Sequence, residues 1–188
     1  MPPKVKVTKE EIIKTTVELV RTSGQNAINA RAIASLLNCS TQPIFSNFES
    51  MEDLEQSTIL SAYQIYLNFI QNEVESGKYP QYKAFGMAYI RFAKEEKELF
   101  KLLFMRDRTE EEISISPDFE ESVQIIMKDN NVSYEIAELI HLEMWVCVHG
   151  IGTMLATSFM PLEWDVISQI ISDMYNGIIT KYRNGVAQ

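Results

Sequence analysis

The chain has 188 residues, is 46% hydrophobic and 23% charged, and carries a formal net charge of −9 at pH 7. Those proportions exclude a disordered chain and leave room for one bundle-like domain or a small domain fused to a larger one. Seven glycines and six prolines are too few for many short strands, and apolar runs stay below the roughly 18 residues a membrane span needs, so no membrane partner is expected.

The start, "MPPKVKVTKEE", has no apolar core of a secretory signal. Thr8-Lys9-Glu10-Glu11 then reads as a capping box, followed by Ile13, Val17 and Val20 at helical spacing. Gly24 ends this helix where a left-handed residue is wanted. Asn29 can cap a second, short helix, "ARAIASLL", with Ile33, Leu36 and Leu37 on one face, and Asn38-Cys39 makes a turn. Ser40 can cap a third helix starting at Thr41, which puts Pro43 in the first turn, where a missing N–H costs little. Ile44 and Phe48 are then i, i+4 and point into a core with Phe45 beside them, while Thr41, Gln42, Ser46 and Asn47 point outward. Two short helices joined by a tight turn are expected to form a helix-turn-helix. Small polar groups on the second of them suit base edges in a major groove, and its N-terminal N–H groups favour phosphate.

Ser50 and Asp53 open a long fourth helix that runs to about Glu75, and Gly77 and Pro80 break the chain after it. Further helices are expected at about 81–94 and 96–106, followed by the charged loop "RDRTEEEISIS". Ser116 then caps a helix with Pro117 in its first position, ending near Asn130-Asn131. Ser133 caps a long helix to about Phe159, and Pro161 opens the last, to about Tyr182. The expected fold class is all-α with about nine helices and no convincing strand.

Charge is uneven along the chain. Residues 1–48 hold six basic groups and three acidic ones, 6 − 3 = +3, leaving −9 − 3 = −12 for the rest. A basic head on an acidic body suggests two parts with different partners, although any chain has charge fluctuations. Cys39 and Cys147 lack metal-type spacing, so two reduced thiols in a cytoplasmic protein are expected. His141 and His149 are joined by no completing ligand set, and Cys147 and His149 diverge on one helix. With no glycine-rich phosphate loop either, no enzyme, metal or cofactor is expected.

The stretch "AINARAIASLLNCSTQPIFSNFESMEDL" resembles the DNA-binding domain of the TetR family of transcriptional regulators, with Ile33-Ala34, a turn, Phe45, Phe48, Ser50 and Leu54 in that family's places. "MWVCVHGIGTML" resembles the Trp-x-x-x-His-Gly core of one ligand-domain subfamily, here Trp145, His149 and Gly150, and "ELFKLLF" fits its earlier segment. The resemblance implies a helix-turn-helix DNA-binding domain at 1–50 and a ligand-binding and dimerisation domain at 51–188. It implies a homodimer on a pseudo-palindromic double-stranded DNA operator, released by a small hydrophobic effector. Arg31, Ser40, Thr41, Gln42, Pro43, Phe45, Ser46 and Asn47 are the implied DNA-facing residues. This chain departs from the family in having Phe45 for the usual Tyr, Asn47 for a His, and Met51 for a Lys, which removes phosphate handles. The "KVKVTK" arm can compensate for them.

Several of these residues also have plainer readings. Phe45 and Phe48 are core residues in the simplest account; Thr41 and Gln42 serve equally as ordinary surface, and Arg31 could be a solvated helix residue, although its match to the family position favours DNA contact. The ligand-pocket candidates are Tyr66, Phe69, Met87, Phe92, Phe104, Trp145 and His149, of which Trp145 and His149 equally suit a buried Trp beside a hydrogen-bonded core His. Gly150 and Gly152 sit inside a helix at a cost of about 1 kcal/mol each, which close packing or a ligand would explain. Ile140, Met144, Val148 and Ile151 on one long helix, with Ile167, Ile171, Met174 and Ile178 on the last, either close their own core or face a second subunit. The alternative to a regulator is a helical ligand-binding or protein-interaction module whose head no longer reads DNA.

Overall fold

The computed structural model describes residues 7–107 and 117–185. Among them the chain is all-α: α1 Lys9–Ser23, α2 Ala30–Leu36, α3 Gln42–Asn47, α4 Met51–Glu75, α5 Gln81–Glu95, α6 Lys97–Phe104, α7 Pro117–Asn130, α8 Tyr134–Ala156 and α9 Trp164–Gly185, with one 3-10 turn at Gln25–Ala27. The nine helices match the expected number. The "KVKVTK" arm up to Lys6, most of the charged loop and the Ser116 cap lie outside the described residues.

Local chemistry explains the helix ends. The Thr8 hydroxyl accepts from the Glu11 N–H at 3.1 Å while the Glu11 carboxylate accepts from the Thr8 N–H at 2.9 Å, a complete capping box. Gly24 stops α1 at φ 74°, ψ 170°, and a Cβ there would meet Glu98 Oε2 at 3.1 Å. Asn29 caps α2 through the Ala32 N–H. At its other end Asn38 takes φ 51°, with Asn38 N–H on the Ser35 carbonyl and Cys39 N–H on the Ala34 carbonyl. That pair of bonds is a Schellman motif, closed by Asn instead of Gly. Ser133 caps α8, which ends at Ala156 ahead of Ser158 at φ 56°. The last helix starts at Trp164, three residues after Pro161.

The described chain divides into two compact units, and the division differs from the expected boundary after residue 50. One unit runs up to Leu67 and includes Glu96–Arg106; the other takes Asn68–Glu95 and the chain from Asp107 on. In the first, Ile12, Ile33, Ala34, Ile44, Phe48 and Leu54 form one buried cluster, and α1 packs on α2, α3 and α6. Arg21 donates to both Glu96 oxygens at 2.9 and 2.8 Å. The Glu96 carboxylate, helped by Glu18, holds the Arg21 guanidinium above its ordinary pKa. This bidentate pair ties α6 to α1 and explains why the "ELFKLLF" segment belongs with the head.

In the second unit, α8 packs on α5, α7 and α9. At Gly86 an added Cβ would meet Val148 Cγ2 at 3.3 Å, so the small residue lets α5 approach α8 closely. Glu73 is buried and paired with Arg91 at 2.8 Å, and the Arg91 guanidinium lies 4.4 Å from the Trp164 ring centre. Lys83 donates to the Ser168 and Ser172 hydroxyls, both at 2.8 Å, joining α5 to α9. α8 is also long and apolar enough, by length and composition, to cross a membrane, but 39% of its apolar window is buried against its neighbours.

Candidate nucleic-acid interface

The helix–turn–helix segment is α2, the turn at 37–41 and α3. Ile33 and Ile44 are fully buried and Phe48 is 3% exposed, so both helices are pinned from the inside. Lys9 Nζ lies 4.8 Å from the centre of the Phe48 ring, adding a cation–π contact. Phe48 is extended and follows the helix as its C-cap.

Two sequence expectations change here. Thr41, not Ser40, is the N-cap residue of α3; its backbone is already helical and its side chain makes no cap bond, so Pro43 falls at the second helical position. Phe45 is not in the core but 56% exposed, because it stands one residue, about 100°, from the buried Ile44. Leu36 is 55% exposed for a related reason: the inward face of α2 runs through Ile33, Ala34 and Leu37.

The outward surface therefore carries Gln42, Phe45 and Ser46 from α3, half-buried Thr41, Pro43 and Asn47 beside them, Ser40 in the turn, and exposed Arg31 on α2. Ser46 Oγ donates to the Gln42 carbonyl at 2.9 Å, and Asn47 Nδ2 donates to the Pro43 carbonyl at 2.7 Å. Those donors are directed back at the backbone. Arg21, counted in the head's positive charge, is held by Glu18 and Glu96. Met51 is half-buried and packs against the head cluster, so a Lys there would have to leave an apolar contact.

The seven pocket candidates are divided between the two units. In the first unit Tyr66 is 4% exposed and meets Phe104 edge-on at 5.3 Å. In the second, Phe69 meets Phe92 edge-on at 5.4 Å, and Met87 is fully buried. Trp145 is 44% exposed and stacks on His149 with ring centres 4.9 Å apart and planes 9° apart. It is not the buried Trp of the plainer reading. His149 Nδ1 is 2.8 Å from the Tyr89 hydroxyl, and burial lowers the imidazole pKa. Gly150 needs no packing explanation, since an added Cβ would meet nothing within 4 Å, whereas Gly152 is buried.

The expected dimer seam is mostly interior. Ile140, Met144, Val148, Ile151, Ile167, Ile171 and Ile178 are all at most 7% exposed inside the single chain, and of the eight only Met174, at 43%, is open. The signal missed in the sequence is a second stripe on α8: Leu139, Leu142 and Val146 are 48, 54 and 59% exposed, and Gly150 continues it at i+4. A helix apolar on both sides buries one side within its own chain and leaves the other for something else.

Compared with known proteins, the chain matches no protein-family model, and no curated protein matches it in sequence. What the fold itself defines is an all-α protein with a helix–turn–helix segment near its N-terminus.

Proposed function

We propose that the protein is a ligand-responsive transcriptional regulator of the TetR type, a repressor that binds a pseudo-palindromic operator as a homodimer and is released by a small hydrophobic molecule. The observation that carries this is the asymmetry of α3: Ile44 is sunk in the core, while Gln42, Phe45 and Ser46 face outward beside Arg31. A short helix held only from beneath, with groups able to reach base edges on top, is the geometry of major-groove readout.

The homodimer reading rests on α8 and α9. Leu139, Leu142, Trp145 and Val146 on α8 and Val166 and Met174 on α9 are exposed apolar side chains. Gly150 and Gly177 leave open space where a second backbone can come close. Effector binding that favours one arrangement of the dimer over another by about 1–3 kcal/mol would change operator affinity roughly 5- to 150-fold.

The test is selection of duplexes by the full-length protein from a random double-stranded DNA library, followed by binding titrations of the recovered sequence and of the DNA upstream of its own gene. Enrichment of a two-fold-related motif supports the reading. A chain that enriches no sequence and binds no duplex at low salt refutes it. The second reading, a protein-interaction head, is favoured by exposed Phe45 and by the engagement of Arg21 within the fold; it requires that same negative result.

A further inference from the structure

Resting on the DNA-binding reading above, we propose that Phe45 is a specificity-determining residue that reads the 5-methyl group of a thymine in the major groove. Phe45 is 56% exposed at the centre of the outward face of α3, three residues from Gln42 and next to Ser46. It carries no hydroxyl, so it gives a phosphate no hydrogen bond. Its polar neighbours are restricted too: the Ser46 hydroxyl hydrogen is directed at the Gln42 carbonyl and the Asn47 amide at the Pro43 carbonyl. A bulky apolar ring in such a face gains by docking only where it meets apolar surface. The floor of the major groove presents donors and acceptors at every base pair, and one prominent apolar group, the thymine C5-methyl. A phenyl ring against that methyl removes both from water and discriminates thymine from cytosine without a hydrogen bond.

The test starts from the duplex recovered by selection with the full-length protein. Each thymine of a half-site is replaced in turn by deoxyuridine, which removes the methyl and keeps the pairing. At one position in each half-site the wild-type protein should lose about fourfold in affinity, the worth of one buried methyl group, and roughly 15-fold when both half-sites are changed. Phe45→Ala should bind the thymine and deoxyuridine duplexes equally, with an unchanged melting temperature because the side chain lies outside the core. With the thymine–adenine pair replaced by cytosine–guanine, 5-methylcytosine in place of that cytosine should recover part of the lost affinity for wild type and none for Phe45→Ala. Insensitivity of the wild-type protein to every deoxyuridine, with specific binding retained, overturns this proposal and leaves the regulator reading standing. An equal deoxyuridine penalty in Phe45→Ala also overturns it, since another residue would then hold the methyl. Failure to enrich any duplex overturns both.

Discussion

Ile171 and Val146 give the sharpest separation between the core and the proposed interface. Ile171 on α9 is 2% exposed inside a single chain, and Val146 on α8 is 59% exposed. Truncating Ile171→Ala removes buried methyl groups and leaves a cavity, at a cost of about 2–5 kcal/mol. For a chain of this length each kcal/mol moves the melting temperature by about 2–4 °C, so a fall of roughly 4–20 °C is expected. Val146→Glu on an isolated subunit should change stability by no more than about 0.5 kcal/mol. In a two-fold dimer the same change acts from both subunits at once. An unpaired charge desolvated there costs about 3 kcal/mol or more, a rise in the dimer dissociation constant beyond about 100-fold. Sedimentation velocity across a concentration series, paired with thermal unfolding, reads both quantities. Val146→Glu should sediment as a folded monomer, and Ile171→Ala as a dimer with a lower melting temperature. A Val146→Glu protein that remains fully dimeric, or an Ile171→Ala protein that is monomeric at wild-type stability, would refute the reasoning.

Thr8→Ala opens the capping box of α1 and should cost about 1 kcal/mol, seen as a lower denaturation midpoint with an unchanged slope. Burial holds the His149 imidazole below its ordinary value of 6.5, so the unfolded chain takes up its proton first; stability from this group is intact above that pH and declines as pH falls below it. His149→Asn should flatten that part of a melting-temperature profile recorded between about pH 5 and 7.5, and an unchanged slope would exclude His149 as its source. Arg31→Ala should weaken binding to all duplexes and reduce the salt slope by about one if the guanidinium meets a phosphate; an unchanged slope with altered sequence preference would move it to a base edge. Removing residues 1–6, with Lys4 and Lys6, should lower affinity for specific and unrelated duplexes alike, because phosphate contacts carry no sequence information, and a loss confined to one sequence would contradict that assignment.

Helix ends were legible in the sequence wherever a side chain makes the cap. Thr8, Asn29 and Ser133 are N-caps as their residue types imply, and Asn38 closes the turn between α2 and α3. Helix faces were less legible. In α1 the buried positions include Ile12 and Thr16, and Ile13 is only partly buried, since a 100° step lets neighbouring apolar residues compete for one face. Thr16 is accommodated because its hydroxyl donates to the Ile12 carbonyl at 2.8 Å. In α8 apolar residues occupy both sides, and periodicity cannot tell which side the chain covers itself. Pairings across distant segments, such as Arg21 with Glu96 or Tyr89 with His149, leave no mark in local pattern. The candidate site was legible as a segment, "STQPIFSNF", but the direction of Phe45 within it was not.

The six-residue α3 is far below the length at which a helix persists alone in water. Ile44 within it and Phe48 after it impose its geometry by entering a cluster shared with Ile12, Ile33 and Leu54. Folding therefore constrains the inward positions and leaves the outward ones nearly free. Ser46 and Asn47 close on carbonyls of their own helix, which fixes their rotamers and removes donors from the surface. Gln42 is exposed without such a constraint on its amide, and Phe45 adds apolar area that stays in water. An exposed phenyl ring contributes little to the stability of the head, so under the proposed reading its contribution is to what docks on α3. The same separation makes the position informative: replacing Phe45 should change the proposed recognition while the core beneath it keeps the helix in place.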